Sequence, residues 1–195
     1  MAKLYFRYGA MNSGKTTALI QVAHNYRERG METILVKPVV DTKRITQISS
    51  RLNIYRDVDI LAEPSDDLFV IIEKQQSERK NLQCILVDEA QFLTKDQVTQ
   101  LFKVAVLLNI PVICYGLRTD FQLNGFEGSK QLLLLAHSLE ELKTICQCGR
   151  KAMANARKIN GSFVFQGDQV AIDGKDSVEY EPLCAQCYFA HLNGQ

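Results

Sequence analysis

The chain has 195 residues, 46% hydrophobic and 23% charged, enough apolar material for one globular unit with a small appendage. Twenty-three Lys plus Arg against twenty-two Asp plus Glu leave a net charge of +1, which disfavours broad electrostatic binding of nucleic acid or of an acidic membrane surface. The longest apolar runs, Leu132–Ala136 among them, are far short of the roughly 20 residues that a membrane-spanning helix needs, and Met1-Ala2-Lys3 leads directly into Leu4-Tyr5-Phe6 with no secretion-type leader, so a cytoplasmic location is expected.

In chain order, residues 3–8 are β-prone and stop at Gly9. Residues 14–29 then carry Leu19, Ile20, Val22, Ala23 and Tyr26 at helical spacing, with Gly30 as the stop. Thr33–Lys37 reads as a second buried strand, completing a βαβ unit that favours a parallel sheet. The polar stretch 40–64 reads mainly as loop, with a short strand near Val58–Leu61. Ser65-Asp66-Asp67 looks like a helix start, with Leu68, Phe69, Ile71 and Ile72 on the apolar side. A strand follows at Cys84–Asp88. Thr94-Lys95-Asp96-Gln97 fits a capping box ahead of a helix to about Leu108, and Pro111–Leu117 is the next strand.

Strands alternating with helices define an α/β fold with a mainly parallel sheet covered on both faces. After about Ile145 the chain turns richer in Gly, Asn and Asp, with short β-like pieces at Ser162–Gln166 and Gln169–Ile172. The expected division is a P-loop unit over residues 1–144 and a small C-terminal unit over residues 145–195.

Gly9-Ala10-Met11-Asn12-Ser13-Gly14-Lys15-Thr16 matches G-x-x-x-x-G-K-[ST] where a strand gives way to a helix. Glycines let the backbone curl its N–H groups toward phosphate oxygens, and the helix N-terminus adds a positive dipole. Lys15 is placed to reach the β- and γ-phosphates of ATP, and the Thr16 hydroxyl to bind Mg²⁺. Asp88, ending an apolar strand, is the carboxylate expected on the metal side, while the adjacent Glu89 is free to act as a base. These features define a nucleotide-triphosphate site but leave its acceptor open. Water gives a RecA-like ATPase, in which Glu89 polarises the attacking molecule; a substrate hydroxyl gives a kinase.

Six cysteines in a non-secreted chain point to thiols or metal ligands rather than disulfides. Cys84 and Cys114 sit in apolar runs and read as core. Cys146-x-Cys148 and Cys184-x-x-Cys187 offer four thiolates to one tetrahedral Zn²⁺, a closed and therefore structural set. His191, four residues beyond Cys187, is the competing ligand, although a lone surface histidine is the better reading. His24 and His137 have no partner pattern that points to catalysis.

The phosphate loop, the run Val87-Asp88-Glu89-Ala90-Gln91-Phe92, the run Cys114-Tyr115-Gly116-Leu117-Arg118-Thr119-Asp120-Phe121 and the late cysteines occur in one order. In that order and across essentially its whole length, the chain resembles the zinc-containing thymidine kinases of bacteria. The resemblance implies a RecA-like P-loop sheet with a ribbon-like zinc unit, and transfer of the ATP γ-phosphoryl group to the 5′-hydroxyl of thymidine. It makes Glu89 the general base and places ATP on Gly9 to Thr16 and on Asp88, Glu89, Ala90 and Gln91. It makes Cys146, Cys148, Cys184 and Cys187 the zinc ligands. The loop between the cysteine pairs is expected to cover the nucleoside, with Tyr180 as its tyrosine. Met11, Phe92, Leu117, Phe121, Phe126 and Tyr180 are carried over as the thymidine pocket, and Arg118 is set near the transferring phosphate.

A homotetramer inhibited by dTTP is implied in the same way, with no nucleic-acid or membrane partner. Two departures stand out: the first cysteine pair is C-x-C where many zinc-containing relatives have C-x-x-C, and in Asp41-Thr42-Lys43-Arg44 either Lys43 or Arg44 takes the place of a basic residue common in the family.

Overall fold

A computed structural model describes residues 1–40, 46–49, 55–169 and 177–194. Lys43 and Arg44, and all but the first residue of the strand expected at Gln169–Ile172, lie outside these. The elements run β1 (Leu4–Tyr8), α1 (Lys15–Glu28), β2 (Glu32–Pro38), β3 (Gln47–Ser49), β4 (Tyr55–Asp57), β5 (Ile60–Ala62), α2 (Leu68–Glu78) and β6 (Leu82–Val87). A 3₁₀ turn (Ala90–Phe92), α3 (Lys95–Leu107), β7 (Val112–Gly116), α4 (Glu127–Leu135) and β8 (Ser138–Glu141) follow. The C-terminal part contains β9 (Thr144–Ile145), β10 (Lys151–Ala152), β11 (Ala154–Ile159), β12 (Ser162–Val164), β13 (Val178–Leu183) and α5 (Ala185–Leu192).

The central sheet has six strands in the order β5-β2-β6-β7-β1-β8, and every pairing is parallel. Such strands are buried on both faces, which is why they read as unbroken apolar runs rather than alternating ones. On one face Leu4, Phe6, Ile34, Val36, Ile85, Val87 and Cys114 pack against α2, α3 and α4 through Leu68, Ile72, Val98, Leu101, Val104 and Leu132. On the other, Leu35, Cys84, Leu86, Ile113 and Tyr115 meet α1 through Leu19, Ile20 and Ala23, together with Ile48 of β3. Burial pushes the Cys84 thiol up to about 12, consistent with a core role.

The strands expected in the first 120 residues are present, with β5 in place of the short strand near Val58–Leu61. The hairpin β3–β4 falls in the stretch expected as loop. Helix α2 begins later than the Ser65 signal: Asp67 is its N-cap, its carboxylate accepting from the Phe69 and Val70 N–H groups, while Asp66 is spent on the Glu63 amide at 2.8 Å. Helix α4 and strand β8 carry no strong sequence signal. Residues 132–135 are leucine throughout, with no polar face to mark a helical period, and β8 is a polar edge strand held by β1 alone.

The C-terminal part is a three-stranded antiparallel sheet, β12-β11-β13, beside the β9–β10 hairpin and α5. Its core is thin, built on Ala152, Ala154, Ala156, Leu183 and Tyr188 with cysteine sulfurs. It is tied to the larger unit by the Tyr188 hydroxyl, which donates to the Phe121 carbonyl at 2.7 Å.

The Thr94 capping box forms as expected, its hydroxyl accepting from Gln97 N–H at 3.1 Å and the Gln97 side chain accepting from Thr94 N–H at 3.1 Å. Thr94→Ala is expected to cost about 1 kcal/mol of unfolding free energy, measured by urea denaturation, with no change in the slope of the transition.

Candidate active site

The carboxyl ends of parallel strands share one edge of a sheet, and here that edge collects the loops after β1, β6 and β7. The loop after β1 is closed by Gly14, at φ 77° the N-cap of α1, so the first amides of the helix point into the loop. Gly9 is required for a different reason. A Cβ there would lie 2.4 Å from the Leu142 carbonyl oxygen and 2.5 Å from Ser13 Oγ.

Within this cradle Lys15 Nζ donates to the carbonyls of Ala10 at 2.9 Å and Gly9 at 3.2 Å. Burial pushes its pKa down, opposed by the fields of Glu89 and Asp88. The ammonium thus lies within electrostatic reach of the acidic pair on the neighbouring loop, held by backbone carbonyls that a more strongly charged phosphate can outcompete.

Asp88 continues from β6, its N–H donating to Val36 O at 3.0 Å, and its carboxyl is buried. Burial first, and then the adjacent Glu89, raise its pKa to about 7. Glu89 has φ 50° and ψ 38°, left-handed values that break strand alternation at this residue and begin the 3₁₀ turn. Its carboxylate accepts from Gln91 Nε2, and Gln91 Oε1 in turn accepts from the Leu117 N–H at 3.0 Å.

Beside the acidic pair lies a cavity of about 240 Å³. Met11, Phe92, Leu117, Phe121, Phe126 and Tyr180, the six residues expected to hold a nucleoside, all line it, together with Glu89 and Gln91. Phe92 and Phe126 meet edge to face at 5.4 Å. An apolar, partly aromatic wall with a few placed polar groups suits one flat ring with polar edges. Thr16 stands in the first turn of α1 at the phosphate loop, and Ala10, Asn12 and Ser13 complete the loop, with Ser13 N–H donating to Ala10 O. Ala90 is buried under the acidic pair. Arg118 stands elsewhere: its guanidinium lies over the Tyr8 ring at 5.5 Å and lines a slit beside Gly9 and Ala10 rather than the cavity. A larger cleft of about 750 Å³ runs between α1 and the β3–β4 hairpin, lined by charges of both signs including Arg27, Arg56, Asp59 and Arg79, but without the loop's acidic pair.

Four further residues line the wall outside the expected set: Asn155 of β11, and Thr119, Asp120 and Gln169 of loops. Behind the wall, Arg157 lies over the Phe121 ring at 3.7 Å, donates to the Tyr180 hydroxyl at 3.0 Å and to the Gln169 carbonyl at 3.0 Å, and is buried. Polar residues at alternate positions of a strand ordinarily mark its solvent face, so Asn155 and Arg157 read as surface until the fold turns that face inward.

The sulfurs of Cys146, Cys148, Cys184 and Cys187 all lie within 4.8 Å of one another, with Cys148 and Cys184 at 3.6 Å. Four sulfurs about 2.3 Å from a zinc ion stand about 3.8 Å apart in a tetrahedron, so the set fits Zn²⁺. The Cys187 N–H bonds to the Cys184 sulfur at 3.4 Å, and this contact leads the causes that lower that thiol to about 6, while sulfur contacts within the cluster raise Cys187 to about 12. The C-x-C turn therefore presents both of its sulfurs. His191 stacks on Phe163 at 4.2 Å and takes no part in the cluster. His137 accepts from the Leu4 N–H and stacks on Phe102.

A phosphate loop and an acidic pair, Asp88 buried and Glu89 partly exposed, at the carboxyl edge of a parallel sheet define a P-loop nucleotide enzyme. The fold is RecA-like: the chain superposes on the solved structure of an ATPase domain with a TM-score of 0.50 at 12% identity, covering 91% of this chain and 80% of that one. The thymidine kinase family model matches residues 2–188. The chain is 49% identical over 190 residues to the thymidine kinase of Legionella pneumophila strain Paris, covering 96% of this chain and 90% of that protein. It is 50% identical over 190 residues to that of Pasteurella multocida strain Pm70, covering 96% and 97%, and 47% identical over 194 residues to that of Haemophilus influenzae, covering 95% and 100%. The chain belongs to the thymidine kinase family, ATP-dependent phosphotransferases. Among the described residues no helix is long and apolar enough to cross a membrane.

A carboxyl raised to about 7 contributes stability that is fully present below its unfolded value near 4 and is lost as the pH rises through 7. In magnesium-free buffer without nucleotide, Asp88→Asn, which cannot ionise, is expected to gain about 2–3 kcal/mol on the parent chain between pH 5 and pH 8. Denaturation curves at the two pH values measure this; a constant difference would mean that Asp88 is not held protonated by burial.

Proposed function

We propose that this chain phosphorylates thymidine at its 5′-hydroxyl, using Glu89 as the base and the loop Gly9 to Thr16 as the triphosphate cradle. The observation carrying the reading is that Glu89 lines a nucleoside-sized apolar cavity while its charge is felt by Lys15 of the phosphate loop. The 5′-hydroxyl gives its proton to Glu89 as its oxygen bonds to the γ-phosphorus, and the bond from that phosphorus to the β–γ bridging oxygen breaks, releasing ADP. Gln91 holds the Glu89 carboxylate in place, and Lys15 exchanges its carbonyl partners for phosphate oxygens.

Met11, Phe92, Leu117, Phe121, Phe126 and Tyr180 enclose the base, and Asp88 to Gln91 border the ATP. Arg118, beside Gly9 and Ala10, is placed to meet the phosphate end. ATP arrives with Mg²⁺, for which Thr16 and Asp88 are the ligand side; the ion offsets charge on the phosphate oxygens. Residues 1–144 form the kinase unit and residues 145–195 the zinc unit, where Zn²⁺ on Cys146, Cys148, Cys184 and Cys187 orders a core too thin to order itself. The family resemblance supports a homotetramer inhibited by dTTP, and thiolate ligands suit a reducing cytoplasm.

With ATP and Mg²⁺, ADP release is expected to require thymidine and to yield dTMP in equal amount; release without thymidine would instead mean that water is the acceptor. Glu89→Gln should retain nucleotide binding and lose about 10²–10⁴-fold in kcat. Cys184→Ser should lose bound zinc, measured by metal analysis, and raise KM for thymidine more than KM for ATP. Zinc retained at one per chain would remove Cys184 from the ligand set.

A further inference from the structure

Asn155 is 3% exposed and makes two long-range bonds. Its Oδ1 accepts from the Met11 N–H at 2.7 Å, across 144 residues of chain, and its Nδ2 donates to the Thr119 carbonyl at 3.3 Å. Together they fix the amide's orientation, since a flip would set donor against donor and acceptor against acceptor.

The Ala10–Met11 peptide is thereby gripped from both sides. Its carbonyl accepts from Lys15 Nζ at 2.9 Å, and its N–H is held by Asn155. Lys15 belongs to the triphosphate cradle; Met11, Thr119 and Asn155 all line the nucleoside cavity. A single rigid peptide plane therefore separates the cation of one substrate site from the wall of the other.

We propose that Asn155 is a positioning residue that couples the two substrate sites. This deepens the reading of the cavity as the thymidine site and rests on it. When a triphosphate draws Lys15 away from the Ala10 carbonyl, the peptide keeps only the longer Ser13 N–H bond on the phosphate side. Asn155 then sets where Met11 stands, seating its side chain in the cavity wall beside Thr119. Triphosphate binding therefore tightens thymidine binding, and by linkage thymidine tightens the triphosphate by the same factor.

The test is calorimetric titration of thymidine into the full zinc-loaded chain, with and without a saturating, non-hydrolysable β,γ-imido analogue of ATP and Mg²⁺, and the reverse titration. The parent chain is expected to bind thymidine about fivefold or more tightly with the analogue present. In Asn155→Leu, similar in shape but without polar atoms, the ratio should fall to within about twofold of one, whatever happens to either affinity alone. Should that variant not fold, Asn155→Ser, whose hydroxyl is too short to reach both partners, is read in the same way. A role confined to stability would lower the melting temperature and leave the ratio intact. An unchanged ratio in the folded variant, or no coupling in the parent chain, overturns the proposal. Failure of the parent chain to bind thymidine at all overturns the cavity's assignment itself, and this inference with it.

Discussion

The parallel direction of all six central strands is the constraint on which the site depends. Because the strands point the same way, the loops leaving β1, β6 and β7 open on one edge, although the first two are separated by β7 in the sheet. The phosphate loop, the acidic pair and the Leu117–Phe121 segment meet there without being close in sequence. A sheet of this kind must be covered on both faces. The two apolar layers that cover it, one under α2, α3 and α4 and one under α1, hold the strand ends rigid beneath the chemistry.

The C-terminal part answers a different physical problem. The edge of the sheet alone leaves the cavity beside the acidic pair open, and the strands that close it are rich in alanine and polar side chains, with little apolar volume to order them. Four sulfurs cluster at one end of these strands. At the other, the Tyr188 bond to Phe121, the Asn155 bonds to Met11 and Thr119, and Arg157 between Phe121 and Tyr180 fasten the strands to the sheet edge. Each of these ties reaches a segment that lines the cavity or its rim, so structural attachment and site assembly are the same set of contacts.

The site also concentrates what a fold otherwise avoids: a buried ammonium, a buried carboxyl raised toward neutrality and a glutamate in left-handed backbone conformation. Each is unfavourable by itself and persists because the surrounding packing is over-determined. Their shared feature is incompleteness. Lys15 rests on carbonyls, and Asp88 lacks a full counter-charge.

The sequence alone determined the phosphate loop, the acidic pair, the zinc-type cysteines and most strands and helices of the first 120 residues, because each is set locally. Glycine spacing, apolar runs, a capping box and paired thiols act over a few residues and leave their pattern in the chain. The resemblance added the six cavity residues, which no local rule separates from core. Only the tertiary structure decided that Thr119, Asp120, Asn155 and Gln169 line the cavity with Arg157 behind its wall, that Arg118 lies outside it, and that α4 and β8 complete the sheet layer. A strand's alternation shows which residues share a face, but whether that face meets water or a cavity depends on what packs against it from elsewhere in the chain.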